Sequence, residues 1–218
     1  MTEPPLDVSL DPIFREAATA ARLGLLAFEA GTPSPDLDAA LDDVTARIRT
    51  TPLAAIAPIQ ATRRAYKALG KDPSRYRPAS EALHRRIAKG EPAPRLHPLV
   101  DLNTLVSLET GYAAGVYDRR HLAPPLHFRV GNAGETYPAI GGQAAFNLEN
   151  LPLLADSQGP FGSPTRDGER ARVSPTTSLA LLVLFDFGDG DLEAALAMAK
   201  AAAERYTGAA DAVAWTVT

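Results

Sequence analysis

Four acidic residues of the sequence stand beside predicted turns or at the ends of predicted elements, where a carboxylate can act as a general acid or base. They are Asp101, Asp118, Glu135 and Asp156. A carboxylate in such a place also caps a helix or closes a turn very commonly, because Asp accepts hydrogen bonds from nearby backbone N–H groups. Position alone therefore does not separate a catalytic role from a structural one.

The sequence lacks the motifs of covalent catalysis and of common metal sites. It contains no Cys, and no G-x-S-x-G elbow surrounds any serine. The four histidines, at 84, 97, 121 and 127, form no i,i+4 pair and no H-E-x-x-H motif. Because His127 alternates with apolar neighbours on a predicted strand, a structural or an exposed histidine is favoured there. No P-loop or dinucleotide fingerprint occurs, so we expect neither a metal nor a cofactor.

A basic segment precedes the middle of the chain. Between Arg63 and Arg95, ten Lys or Arg residues stand against three acids, which gives this segment a net charge of +7. Since the whole chain carries −4, the remainder carries −11. A single Lys or Arg on a helix usually belongs to a solvated face. This clustering without compensating acids favours a surface for a polyanion.

Size and composition are those of an ordinary globular protein. The 218 residues suit one domain, or one domain with a helical extension, and 45% of them are hydrophobic. No apolar run approaches the ~20 residues of a membrane-spanning helix. The N-terminus is acidic and rich in Pro, unlike a signal peptide. We therefore expect a cytoplasmic protein without membrane contact.

The elements that would position these residues centre on one helix and the segment after it. Leu99 and Leu102 lie on one helical face, and Pro98 suits the first helical turn. Gly111 can end the helix in a left-handed conformation. Because residues 113–115 are small, the pattern predicts an irregular loop there, whose bare backbone a small molecule or a sugar could approach closely.

The rest of the chain divides into a more helical first half and a strand-rich second half. Residues 1–12 predict a loose leader, and residues 21–30 predict a strand, with a helix as the alternative. Further helices are predicted over 34–49, 52–69 (interrupted or kinked near Pro58), 80–89 and 192–206. Further strands are predicted over 126–130, 135–140, 151–155, 178–187 and 212–218. Residues 157–170 are rich in Gly and Pro and predict a long polar loop, which is often functional.

The central stretch VDLNTLVSLETGYAAGVYD resembles the B3/B4 domain, the tRNA-editing domain of the β subunit of bacterial phenylalanyl-tRNA synthetase. That family writes this stretch as V-D-V-T-N, then a Gly, then a segment ending in Phe or Tyr followed by Asp. Val100-Asp101, Gly111 and Tyr117-Asp118 fall at the same spacing. The register continues through matches at Arg129, Gly134-Glu135-Thr136, Gly142 and Asp156.

Free-standing members of this family carry an upstream run R…Y…G-x-x-P…R-P-S-x-E-x-L-x-R-R, to which residues 63–86 are similar. Their closing segment, R-x-x-x-x-x-T, is similar to ARVSPTTSLALLVLF. The resemblance covers about residues 60–207. It implies a single stand-alone B3/B4-like domain over 1–218, with an N-terminal strand and helix from residues 1–59. The implied fold class is α+β, with central mixed or antiparallel sheets flanked by helices and a helical N-terminal part.

The resemblance implies a free-standing trans-editing hydrolase whose partner is a mischarged aminoacyl-tRNA. A pocket would hold the aminoacyl group and the terminal adenosine and position a water, assisted by a ribose hydroxyl of the tRNA. Such chemistry fits the missing nucleophile. Backbone N–H groups of residues 113–115 and 159–163 could bind the developing oxyanion. The tRNA phosphates would contact Arg63, Arg64, Lys67, Arg75, Arg85 and Arg86.

Several pocket positions depart from the family's pattern. The synthetase's pocket His falls at Gly115, its Thr-Asn pair at Asn103-Thr104, and its Glu, which contacts the tyrosine hydroxyl, near Val183. A different amino acid, such as a non-protein one, is therefore expected. The residues expected at the catalytic pocket are Asn103, Gly115, Glu135, Asp156 and Ser163.

Two other functions remain open. Loss of the His and the Glu favours a non-catalytic module that keeps the fold and binds tRNA or a free amino acid. The basic segment could instead be a solvated or protein-docking surface, in which case tRNA would not bind. The sequence leaves the oligomeric state open.

Overall fold

The computed structural model describes residues 6–16, 19–142 and 144–218, which form two four-stranded sheets, one two-stranded sheet and five helices. The helices are α1 (Asp36–Ile48), α2 (Ala57–Ala68), α3 (Ala79–Ala88), α4 (Pro98–Thr110) and α5 (Leu192–Thr207). The first five strands are β1 (Val8–Leu10), β2 (Arg22–Glu29), β3 (Ala113–Asp118), β4 (Leu126–Val130) and β5 (Thr136–Pro138). The others are β6 (Ala145–Asn147), β7 (Pro152–Asp156), β8 (Gly159–Gly162), β9 (Leu179–Asp186) and β10 (Ala210–Val217). None of the described helices is long and apolar enough to cross a membrane.

The larger sheet is entirely antiparallel, in the order β10-β2-β9-β3. Its inner strands β2 and β9 read as continuous apolar runs because both faces of the sheet are covered. On one face, Leu26 and Leu182 pack with residues of α1, α4 and α5. On the other, Leu25 and Val183 pack with residues of the second sheet. This sheet therefore separates two parts of the core.

The second sheet has the order β1-β4-β7-β8 and is mixed, since β1 runs parallel to β4 and the other pairs are antiparallel. Phe128, Leu154 and Phe161 carry its packing against the larger sheet. The rings of Phe14 and Phe128 stack with centroids 4.6 Å apart. The predicted class, α+β with mixed and antiparallel sheets flanked by helices, is confirmed.

Most predicted elements occur with small changes at their ends. The segment 21–30 is a strand and not a helix. Gly111 ends α4 with φ of 77°, as the sequence predicts. The expected kink near Pro58 is a complete break, because Leu53–Ala55 form a separate 3-10 turn and α2 begins at Ala57. Pro58 then lies in the first turn of α2, where a missing N–H is tolerated.

The predicted bare loop at residues 113–115 is wrong, because these residues begin the buried strand β3. Pairing with β9 uses the backbone that the sequence suggested was free. Small residues are needed here for packing. A methyl group at Gly115 would overlap the Tyr117 hydroxyl, and a methyl group at Gly162 on β8 would overlap the same hydroxyl.

Two other predicted irregular segments contain regular structure. Within residues 157–170, β8 pairs with β7, and Glu169–Ala171 form a 3-10 turn. Gly162, one of the glycines that suggested a loop, instead allows β8 to approach Tyr117 of the larger sheet closely. In the predicted leader, β1 pairs with β4, while residues 1–5 lie outside the described part of the chain.

We predict that Gly115→Ala lowers the free energy of unfolding by about 1–3 kcal/mol, because a buried ring has no room to move aside. Chemical denaturation measures this loss. Gly24→Ala on β2 is the matched control, since its added methyl would lie 3.0 Å from the flexible end of Leu192 and should cost less. Equal stability of Gly115→Ala and the unsubstituted protein would contradict this packing argument.

Candidate functional site

A cavity of about 260 Å³ lies beside the first turns of α4, against β3 and the loops around residues 140 and 167–173. Leu96 and Ile140, which are 75% and 41% exposed, are the large hydrophobic residues that the described part of the chain leaves exposed, and both line it. A mostly apolar cavity with a few polar groups is typical of a small-molecule site. The other lining residues are His97, Val100, Asn103, Val116, Asp167, Arg172 and Val173.

The first turns of α4 position one wall of the cavity. His97 caps the helix by accepting the Leu99 N–H at 3.3 Å through Nδ1. Asp101 accepts the Leu96 N–H at 2.9 Å, so this carboxylate has a capping role. Asn103 donates to the Ala114 carbonyl oxygen at 3.2 Å, which ties α4 to β3. Its Oδ1 is buried and accepts no hydrogen bond from the described residues.

Asp167 forms the acidic part of the opposite wall. Its Oδ1 accepts hydrogen bonds from the Tyr117 hydroxyl at 2.7 Å and from the Ser163 N–H at 3.3 Å. Burial raises the pKa of Asp167 to about 7, although both hydrogen bonds oppose this shift. Burial and the adjacent Asp167 carboxyl also raise the pKa of Tyr117. At neutral pH the cavity therefore contains a carboxyl group that can hold or release a proton.

Ser163 supports Asp167 from behind the cavity. Its hydroxyl donates to the Arg166 carbonyl oxygen at 2.8 Å and accepts the Arg166 N–H at 3.1 Å, and the Tyr137 hydroxyl oxygen lies 3.2 Å from it. Ser163 is only 3% exposed. These bonds fix the loop that carries Asp167 and leave the Ser163 hydroxyl poorly placed to act as a nucleophile.

The five residues expected at the catalytic pocket do not gather in one place. Asn103 lines the cavity, Ser163 contacts a lining residue, and Gly115 lies under Tyr117. Glu135 and Asp156 do not line it.

Both carboxylates outside the cavity are held by arginines. Arg129 donates to the two Glu135 oxygens at 2.8 and 2.6 Å, and these bonds hold the pKa of Glu135 below its ordinary value. Arg170 contacts both oxygens of Asp156, a buried side chain that also accepts the Ala123 N–H. Their geometry is that of structural ion pairs.

Asp118 is also held by structural contacts. It accepts the Thr177 hydroxyl at 2.7 Å and the Arg120 N–H at 3.0 Å, and these interactions lower its pKa although burial opposes them.

The expectation that the basic segment lacks compensating acids is wrong, because acids from other parts of the fold reach it. Arg95 pairs with Asp38 and Asp42 of α1, and Arg64 pairs with Asp189 after β9. Within the segment, Arg86 pairs with Glu91, and Arg63, Arg77 and Arg85 share Glu81. Lys71 is buried and donates to Asn147 and to the Glu149 carbonyl oxygen. For Lys67 and Arg75, no ion pair with another described residue is present.

Sequence reasoning missed Asp167. It stands in the segment T-R-D-G, where an Asp ordinarily indicates an exposed turn. The Gly and Pro content identified the surrounding segment as a possible functional loop. Burial of this one carboxyl depends on Tyr117, 50 residues away in the chain.

We predict that Asp167→Asn removes a pH dependence of stability. The unfolded chain loses the Asp167 proton near its ordinary pKa of 3.8, whereas the folded chain holds it to about pH 7. Folding therefore takes up a proton between these values, and stability falls as the pH rises through this window, by up to about 4 kcal/mol.

The measurement is denaturant unfolding of both proteins from pH 4 to pH 8. Asn retains an acceptor for the Tyr117 hydroxyl, so the variant should fold. As the pH rises, the free energy of unfolding of the variant should increase relative to that of the unsubstituted protein. A constant difference in free energy of unfolding across this range would contradict the assignment.

Comparisons with known proteins agree with this architecture. The family described as B3/4 domain matches residues 61–208. The chain is 30% identical over 66 residues to the phenylalanine–tRNA ligase beta subunit of Pasteurella multocida (strain Pm70), a match covering 30% of this chain and 8% of that protein. A crystal structure of an N-terminal fragment of the phenylalanyl-tRNA synthetase beta subunit from Pyrococcus horikoshii superposes with a TM-score of 0.54 at 12% identity.

That superposition covers 100% of this chain and 55% of the fragment, and it shows a shared fold. The chain thus spans about half of the archaeal fragment and a small part of the bacterial subunit. Because the family match extends over more than half of its residues, the chain belongs to the B3/4 domain family.

Proposed function

We propose that the protein is a free-standing trans-editing enzyme that hydrolyses the ester bond of mis-aminoacylated tRNA. The observation that carries this proposal is the cavity between α4 and β3, which is enclosed enough for an aminoacyl group and contains Asn103 and Asp167. Membership of the B3/4 family and the similarity to synthetase beta subunits support a substrate related to tRNA.

The proposed reaction uses water as the nucleophile. A water oxygen attacks the ester carbonyl carbon, the bond to the ribose oxygen breaks, and that oxygen leaves with a proton. The products are a free amino acid and a tRNA with a free terminal hydroxyl. Positioning supplies much of the rate in such a reaction, and the neighbouring ribose hydroxyl of the substrate assists the proton transfer. Among the described residues, no side chain at the cavity is well placed to replace water as the nucleophile. The chain contains no Cys, and the Ser163 hydroxyl already forms hydrogen bonds with the backbone of Arg166.

The polar groups of the cavity suit an amino acid that carries a hydrogen-bond donor. The Asp167 carboxyl lines the cavity and accepts a hydrogen bond from Tyr117, a fully buried residue, so it is held on the core side of the cavity wall. Leu96 and Ile140 mark the mouth, where the ester and the tRNA would lie. A hydroxyl or an amine at the end of the acyl group would therefore meet Asp167, and this favours polar or basic amino acids over purely apolar ones.

Contacts with tRNA phosphates are proposed for Arg63, Arg64, Lys67, Arg75, Arg85 and Arg86. Four of these arginines are ion-paired to acids. The Arg64–Asp189 and Arg86–Glu91 pairs are exposed, and such a pair exchanges readily for another anion because it contributes little stability. Arg63 and Arg85 contact the buried Glu81, so they would bind phosphate through donors that Glu81 does not use. Lys67 and Arg75 would contact phosphate without giving up an ion pair to any other described residue.

One observation favours a second function, a non-catalytic module that binds a free amino acid. Asp167 and Arg172 place an ionisable carboxyl and a guanidinium in the wall of one small cavity. A free amino acid carries both an ammonium and a carboxylate, whereas an aminoacyl ester carries only the ammonium. Tight binding of a free amino acid without any ester hydrolysis would select this alternative.

The decisive experiment incubates the protein with a panel of correctly and incorrectly charged aminoacyl-tRNAs. We expect at least one mischarged tRNA to be deacylated well above the spontaneous rate, with the highest rates for acyl groups that end in a hydroxyl or an amine. If no member of the panel is hydrolysed faster than in buffer, the enzymatic proposal fails.

We predict that Val100→Trp, which fills the cavity from α4, lowers kcat/KM for that substrate by about 100-fold or more, since even a small displacement of the acyl group costs heavily. Val213→Trp on the edge strand β10 is the matched control and should leave the rate unchanged. Circular dichroism and tRNA binding of both variants should remain normal. Full activity of Val100→Trp would show that the acyl group binds elsewhere.

A further inference from the structure

Three arginines surround one buried carboxylate at the start of α3. Glu81 has a side chain that is 1% exposed, and it contacts Arg63 at 2.7 Å, Arg85 at 2.8 Å and Arg77 at 3.6 Å. The arginines come from three places: α2, the segment before α3, and α3 itself. They are partly exposed, by 23%, 43% and 46% for Arg63, Arg77 and Arg85.

The charges of this cluster do not balance. A buried carboxylate needs a cationic partner, and one arginine would be enough to neutralise it. Three guanidinium groups around a single carboxylate leave two positive charges. Burial of Glu81 makes it a fixed anchor, so the arginines are held in place before any ligand arrives. Repulsion among the three guanidinium groups destabilises the free protein, and a bound anion would relieve this repulsion.

Two arginines of the cluster keep free donors on partly exposed side chains. Arg77 and Arg85 contact Glu81 through Nε, and their terminal nitrogens have no partner among the described residues. A guanidinium presents such nitrogens as a planar pair, which matches the oxygens of a phosphate group.

The cluster stands close to the cavity. The Ala79 N–H at the start of α3 donates to the Pro164 carbonyl oxygen at 2.8 Å, and Asp167 follows three residues later. From the rise of a helix and the reach of an extended chain, Glu81 and Asp167 lie at most roughly 20 Å apart. A few nucleotides of extended single strand cover that distance, so the cluster is within reach of the single-stranded end of an RNA whose 3′ terminus enters the cavity.

We propose that Arg63, Arg77 and Arg85, held by Glu81, bind backbone phosphates of the single-stranded 3′ end of tRNA. This inference rests on the proposed function, which places the terminal nucleotide at the cavity. Because the site contacts phosphates and not bases, it would accept the common 3′ end of any tRNA. The cavity would then discriminate among aminoacyl-tRNAs through the acyl group that it binds.

The test measures binding of a fluorescent single-stranded RNA oligonucleotide that ends in CCA, as a function of NaCl concentration. Each phosphate contact to single-stranded RNA contributes about 0.7 to the slope of log K against log salt. Arg77→Ala/Arg85→Ala should therefore reduce this slope by about 1.4 and weaken binding about 10-fold or more at low salt. Thermal unfolding checks that the variant folds. If it does not, each single variant should reduce the slope by about 0.7.

Two controls make the result specific. Arg47→Ala/Arg205→Ala removes two arginines from α1 and α5 and should leave the slope unchanged. A blunt RNA duplex should show a much smaller change between the unsubstituted protein and the Arg77→Ala/Arg85→Ala variant. An unchanged slope for the variant, an equal change in the control, absence of oligonucleotide binding, or an effect confined to the duplex would each overturn the proposal.

Oligonucleotide binding does not require ester hydrolysis, so the two proposals can fail separately. A slope that depends on Arg77 and Arg85, without deacylation of any aminoacyl-tRNA, would sustain the phosphate site and refute the hydrolase. Deacylation together with a salt slope that does not depend on Arg77 or Arg85 would sustain the hydrolase and refute the phosphate site. If both proposals hold, the variant should raise KM for aminoacyl-tRNA and leave kcat nearly unchanged, because phosphate contacts bind ground state and transition state alike.

Discussion

The hydrogen bond between Tyr117 and Asp167 is the interaction on which the candidate site depends. Tyr117 is fully buried, and its ring meets Phe161 edge-on with centroids 5.0 Å apart. A buried hydroxyl needs a partner, and the partner here is a carboxyl group drawn into the cavity wall. The ring fits only because residues 115 and 162 are glycines. The Tyr117 side chain therefore determines both how the two sheets pack and where the cavity wall contains a carboxyl group.

Two further tyrosines hold the same loop. The Tyr66 hydroxyl bonds to the Thr165 hydroxyl at 2.9 Å, and the Tyr137 hydroxyl donates to the Arg166 carbonyl oxygen. Burial raises the pKa of both, as it does for Tyr117, so all three hydroxyls stay protonated and keep their donors. Residues 163–167 contain no helix or strand, yet buried side chains position them from several directions. A carboxyl on such a loop is placed as firmly as one on a regular element.

The sequence predicts α4 well and β3 poorly, for physical reasons. The helix has a local signature: apolar residues at helical spacing, Pro98 at its start and Gly111 at its end. The strand has none, because Ala113, Ala114 and Gly115 have low strand propensity, and only pairing with β9 and the needs of the Tyr117 ring explain them. Long-range contacts of this kind leave no trace in a window of the sequence.

The same limit applies to the candidate site. Asn103 could be named because it falls at the position of the family's Thr-Asn pair, whereas the raised pKa of Asp167 arises from burial by residues distant in the chain. Counting charges along the sequence also overstated the positive charge available on the basic segment. Three acids, Asp38, Asp42 and Asp189, pair with its arginines only in the folded protein.

Folding concentrates the remaining positive charge instead of removing it. The chain as a whole is acidic, at −4, which by itself would oppose binding to RNA. At physiological salt, however, charges more than about 8 Å from a phosphate are largely screened, so the local arrangement outweighs the total. Around Glu81 that arrangement is three guanidinium groups and one carboxylate, one short loop away from Asp167. The proposed phosphate site and the cavity that contains Asp167 can therefore lie near each other, which is the arrangement that the proposed substrate, with its charged backbone and its ammonium group, would require.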